Sequence, residues 1–104
     1  MGYYTSHRLT MIEGSYDLIE QFVEENEHAK FALCSNGDCS ESCKWYSHQE
    51  DMKAFSKKHP EAIFELSGEG EESGDIWKEY YKNGKMQRCK AVITFEEFNP
   101  KKLM

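Results

Sequence analysis

Four cysteines, at 34, 39, 43 and 89, and four histidines, at 7, 28, 48 and 59, have the widest chemical repertoire in this chain. Cys34, Cys39 and Cys43 put three thiols into ten residues, and His48 follows five residues on. Zinc takes four sulfur or nitrogen ligands tetrahedrally, so Cys34, Cys39, Cys43 and His48 are a candidate ligand set. Their spacing is not the paired C-x2-C form, and the same residues read equally as free or buried thiols. No other cofactor is implied. Cys39, Cys43 and Ser47 are candidate nucleophiles with His7 or His48 as base, but such a pair needs a fold that brings its members together. Nothing in the spacing does so, and no catalytic constellation is legible. His28 and His59 fall near helix C-termini, where an imidazole suits the dipole. The expectation is a binding protein rather than a catalyst.

The stretch from Glu65 to Trp77, ELSGEGEESGDIW, concentrates three glycines and five acids in thirteen residues. It lacks the alternating ligand ladder of a calcium loop. It also fails as a phosphate cradle, because no Lys-Ser/Thr follows Gly74 and carboxylates repel phosphate. Two readings remain. In one, the glycines shape a hairpin connection and the acids keep an exposed edge soluble. In the other, Glu69, Glu71, Glu72 and Asp75 present an acidic patch to a basic protein surface, with Trp77 and Tyr80 as aromatic anchors beside it.

Charge points the same way. The net charge is -6, from 19 acids against 13 Lys and Arg. That field repels a phosphate backbone, so direct nucleic-acid binding is not expected, whereas a basic protein partner is. A length of 104 residues predicts one domain, 1–104, and 13% aromatic residues predict a packed interior. No run approaches the ~18 apolar residues needed to cross a bilayer, and the first residues lack a signal-peptide core. A cytoplasmic protein with no membrane partner is expected. Its cysteines would then stay reduced.

The elements that must hold these side chains follow from periodicity. Residues 3–12 alternate as a strand ended by Gly14. Ser15 is placed to cap a helix whose stripe is Leu18, Ile19, Phe22 and Val23. Residues 30–34 read as a short strand and 35–43 as a loop with an Asn-Gly turn. Ser47 and Glu50 fit a capping box that opens a second helix, with Met52 and Phe55 buried and Pro60 as the stop. Residues 62–67, 75–82 and 85–98 read as three strands, the last two joined by Asn83-Gly84 in a type I′ turn. In the last strand Cys89, Ala91, Ile93 and Phe95 share the inner face, opposite Arg88, Lys90 and Thr94. The prediction is an α+β fold, a ferredoxin-like variant. It has a largely antiparallel sheet, two helices on one face and a C-terminal β-meander.

Three stretches carry a resemblance: MGYYTSHRL, CKWYSHQEDMKAFSKKHP and LSGEGEESGDIWKEYYKNGKMQ. Together they resemble a group of small proteins encoded by tailed bacteriophages and prophages, over most of the chain. That group has no assigned activity, so the resemblance carries over no functional residue. It implies an accessory protein in the cytoplasm of an infected bacterium, and by analogy stoichiometric inhibition of a host defence or nucleic-acid enzyme.

Two alternatives compete with a protein binder acting through residues 65–79. One is the zinc module above. The other is a binder or hydrolase of small, nucleotide-like molecules, with a pocket between sheet and helices that draws on Tyr4, His7, Trp45, Trp77 and Tyr80. Tyr80 and Tyr81 on an edge hairpin would also suit a homodimer.

Overall fold

A computed structural model describes residues 3–92 and 96–103. The chain forms strand β1 (Thr5–Glu13), helices α1 (Asp17–Glu25), α2 (Glu27–Ala32) and α3 (His48–Lys58), then strands β2 (Ile63–Gly70), β3 (Ile76–Lys82) and β4 (Lys85–Lys90). A 3-10 turn, Pro100–Lys102, lies near the C-terminus. All four strands pair antiparallel in sequential order, β1-β2-β3-β4. The fold is α+β, and its meander is the predicted one. Its element order is β-α-α-α-β-β-β, however, where the ferredoxin-like pattern is β-α-β-β-α-β.

Alternation along the strands builds one core. His7, Leu9 and Met11 of β1, Phe64 and Leu66 of β2, and Trp77 and Tyr81 of β3 point to the helix side. Ile19, Phe22 and Val23 of α1 and Met52 and Phe55 of α3 close over them. Among the described residues, the other face of the sheet carries no α-helix.

Four local expectations change. The predicted strand at 30–34 is helical up to Ala32. Asn26 breaks the first helix with extended backbone, and its side chain accepts a hydrogen bond from the Ala29 N–H, restarting the helix as α2. Ala29 and Ala32 then bury at helical spacing, and only Leu33 makes a single bridge, to Cys39. Tyr16, not Ser15, is the N-cap of α1, although Ser15 Oγ accepts from the Asp17 N–H. Ser47 caps α3 without a capping box, because its hydroxyl donates to Asp51 Oδ2.

The inner and outer faces of β4 are the reverse of those expected. Asn83 (φ 48°) and Gly84 (φ 77°) form the anticipated two-residue turn. That turn sets Lys82 opposite Lys85, and so Tyr81 opposite Met86 and Glu79 opposite Arg88. Arg88 therefore faces the helices, while Cys89, opposite Lys78, lies on the open face. Ala91 is exposed, and Ile93, Thr94 and Phe95 lie outside the described residues.

The cysteine loop protects an edge. Leu9 N–H donates to Gly37 O, and Thr5 exchanges backbone hydrogen bonds with Cys43. The loop thus runs along the outer side of β1 and covers its unpaired groups. Gly37 permits this approach: its φ is +94°, and a Cβ there would sit 2.0 Å from the Leu9 carbonyl oxygen.

Candidate functional site: a buried carboxylate beneath an aromatic recess

The site forms where β3, β4 and the first turn of α3 meet. Parity turns Trp77, Glu79 and Tyr81 inward together, and Glu79 is completely buried. Three hydrogen-bond donors and the His48 ring surround its carboxylate. Tyr81 OH (2.6 Å) and His48 Nε2 (3.0 Å) face Oε1, while Arg88 Nη1 (2.7 Å) and Gln49 Nε2 (2.8 Å) donate to Oε2. His48 and Gln49 are the first two residues of α3, so the helix start aims them at the sheet. Trp45 holds that start in place. Its carbonyl accepts from His48 Nδ1 at 2.8 Å, and its indole N–H donates to Asp51 at 2.8 Å.

This arrangement decides the protonation chemistry. A carbonyl only accepts, so Nδ1 of His48 carries its proton. Nε2 then meets the Glu79 carboxylate off the straight line of a hydrogen bond, and the two form an ion pair when Nε2 is also protonated. Both ring nitrogens of His48 are turned to protein groups, which leaves neither for a substrate. Burial alone pushes the Glu79 carboxyl up. Hydrogen bonds from His48, Tyr81 and Gln49, with the charge of His48, outweigh it and hold the group at about 2. Burial and the neighbouring carboxylate push the Tyr81 phenol far above its ordinary range, so it remains a donor.

Aromatic rings roof the carboxylate. His48 stacks on Trp77 with centroids 5.0 Å apart and planes 18° apart, and the Arg88 guanidinium lies 4.7 Å from the Trp77 ring centre. The Trp77 ring rests against Gly68 of β2, where an added Cβ would come within 2.1 Å of it. His7, only 2% exposed, is set between Trp45, His48 and Trp77 at 5.3, 5.8 and 6.0 Å. Burial, then the nearby His48, lowers its pKa to about 4, so it is neutral at pH 7. Its Nδ1 is buried with no hydrogen-bond partner among the described residues. Above these rings opens a recess of about 170 Å³ whose rim includes Tyr3, Tyr46 and Asp75. A wider hollow of about 320 Å³ lies along the open face, walled partly by the solvated side chains of Arg8 and Lys78.

The acidic stretch divides. β2 continues to Gly70, so the β2–β3 turn is only residues 71–75. Tyr3 ties it down: its hydroxyl donates to Asp75 Oδ2 at 2.6 Å and accepts from the Glu72 N–H at 2.9 Å. Gly70 makes room, since a Cβ there would lie 2.1 Å from Asp75 and 2.4 Å from the Tyr3 hydroxyl. Of the three glycines only Gly74 has positive φ, so Gly68 and Gly70 serve close packing rather than backbone turning. Glu69, Glu71 and Glu72 are exposed, and one oxygen of Glu71 accepts from the Tyr4 N–H.

Of the two proposed anchors, the structure excludes Trp77. Trp77 is 4% exposed and packs in the core, and Tyr80 is half-buried on the open face beside Glu65. β3 and β4 form the edge hairpin suggested for a homodimer, but β3 is its inner strand and Tyr81 is buried, which leaves only Tyr80 partly exposed. Cys34, Cys39, Cys43 and His48 do not converge. No group of three or more His, Cys, Asp or Glu able to hold a metal occurs among the described residues. Cys34 is exposed, Cys43 is buried with its thiol pKa raised by burial, and His48 is committed to Glu79 and Trp45.

Of the residues considered for a pocket, His7, Trp45 and Trp77 meet at the recess, whereas Tyr4 and Tyr80 do not line it. Sequence reasoning missed Glu79, Arg88, Gln49 and Tyr3. A signal for the first two was present. An acid at the same parity as Trp77 and Tyr81 reads as buried, and the type I′ turn places Arg88 opposite it.

Comparison with protein-family models, characterised proteins and solved structures gives no match. No helix among the described residues is long and apolar enough to cross a membrane.

Proposed function

We propose that the chain is a stoichiometric binding protein whose acidic β2–β3 turn docks a basic protein surface. One observation carries this reading: Glu69, near the end of β2, and Glu71 and Glu72, in the short turn that Tyr3 fastens to the sheet, all stand exposed. Carboxylates on a fixed support lose little freedom on binding, and like charges massed at one site steer an oppositely charged partner. Exposed Tyr4 and Tyr46 border the turn and supply apolar contact area. Trp77 takes no part, since it is buried. The resemblance to phage-encoded proteins supports a place in the cytoplasm of an infected bacterium, against a host defence or nucleic-acid enzyme whose groove is basic.

The test is affinity capture from bacterial lysate with three forms of the protein. Wild type and a control with Glu20→Lys and Glu24→Lys, exposed on α1, should retain one stoichiometric partner. The Glu69→Lys/Glu71→Lys/Glu72→Lys form should lose it, and wild-type association should slow as salt rises. Equal capture by all three forms sinks the assignment of the turn.

A further inference from the structure

His7 differs from His48 in having a nitrogen to spare. Nδ1 of His7 is buried with no partner among the described residues, within a side chain that is 2% exposed and lines the recess. Native interiors rarely leave such an atom unpaired unless a water or ligand completes it. The recess sets the terms for an occupant. Its volume, about 170 Å³, falls below the roughly 300–1,000 Å³ of pockets that hold drug-sized ligands, so it suits a single ring system. Trp45, Trp77 and Tyr46 give it aromatic walls.

Charge is the sharper constraint. Arg88 lies on one side, with only Nη1 engaged by Glu79 among the described residues. Asp75 lies at the rim, with Oδ2 taken by Tyr3 and Oδ1 unbonded among those residues. Arg88 disfavours a cation. Asp75, with Glu71 and Glu72 close by, disfavours an anion. What remains is a molecule of no net charge with acceptors for Arg88 and donors for Asp75, and the aromatic walls favour a flat ring over a zwitterion.

From this we infer that the recess binds an uncharged, flat heterocycle bearing both hydrogen-bond donors and acceptors, a free nucleobase. Nδ1 of His7 takes part in holding it. The inference rests on the recess and is independent of the acidic turn as a protein-docking surface.

The experiment is an NMR titration of the full-length, ¹⁵N-labelled protein with uracil, cytosine, adenine and hypoxanthine, followed through the Trp45 and Trp77 indole and His7 ring signals. At least one base should give saturable shifts confined to the recess. Its 5′-monophosphate should bind at least ~10-fold more weakly, as should a single-stranded oligonucleotide of that base. Asp75→Asn should weaken binding by ~5-fold or more. Tyr46→Ala does the same at a residue that is 68% exposed, so a folding defect in the first variant leaves the second decisive. The Glu69→Lys/Glu71→Lys/Glu72→Lys form should still bind the base, which separates this result from the fate of the turn. The inference is overturned if none of the four bases saturates up to its solubility limit, or if the monophosphate binds as tightly as the base. It is equally overturned if both rim variants bind unchanged, or if crystals soaked in the base show only an ordered water on His7 Nδ1.

Discussion

Glu79 and the three exposed glutamates at and before the β2–β3 turn come from one acid-rich stretch and have opposite fates. Glu69, Glu71 and Glu72 stand in solvent, whereas Glu79 is sealed beneath Trp77 with three hydrogen-bond donors and the His48 ring around it. The amino acid type does not decide this. Position relative to the pleat does, together with whether donors from other elements reach the carboxylate. A buried charge survives only when paired and hydrogen-bonded, and here α3 and β4 each deliver partners. The turn carboxylates have no such burden, and their charge stays available to a partner.

The largest expected effect breaks the buried side of this contrast. Glu79→Leu leaves Arg88, Gln49 and Tyr81 without their acceptor, and by analogy with one-sided removal of a buried ion pair it should cost about 3–5 kcal/mol in urea unfolding. A loss below ~1 kcal/mol would mean that the network contributes little.

Acid comes next. His7 binds its proton more weakly folded than unfolded, at about 4 against 6.5, so stability is full above 6.5 and falls as pH drops from there to about 4. Glu79, at about 2 against 4.5, continues the decline from 4.5 to about 2. Both windows slope the same way, and equilibrium unfolding should show a continuous loss toward acid. His7→Phe should flatten the upper window and leave the lower one.

Smaller again is Gly68→Ala. Its Cβ meets the Trp77 ring, and overpacking of this kind costs about 1–3 kcal/mol. Trp77 must shift, so the emission maximum should move to the red. The smallest effect lies on the solvent side. Glu69→Lys, Glu71→Lys and Glu72→Lys together should leave the unfolding midpoint where it is while abolishing partner capture. A large fall in stability would show that the turn carboxylates hold the fold together.

Much of the architecture was legible because it depends on local rules. The stripe of Ile19, Phe22 and Val23, the alternation of Phe64 and Leu66, and the Asn83-Gly84 turn all read correctly from spacing. Residues 30–34 did not. They read as a short strand, but the Asn26 cap and the burial of Ala29 and Ala32 favour helix. The faces of β4 were misjudged because its own alternation of apolar residues outweighed the register imposed by the turn. The zinc set followed from sequence proximity, but no three of its members come together among the described residues, and α3 turns His48 toward Glu79.

The sequence by itself determined the α+β class, the meander, the core stripes and the excess of negative charge, because side-chain period and composition act over a few residues. Only the tertiary structure decided that Gln49 and His48 of α3 reach Glu79. It alone set His7 among three aromatic side chains and made Gly68 and Gly70 spacers for Trp77 and Tyr3. These outcomes depend on donors and rings from distant segments arriving at one place, and a side chain's environment is fixed by those neighbours rather than by its own identity.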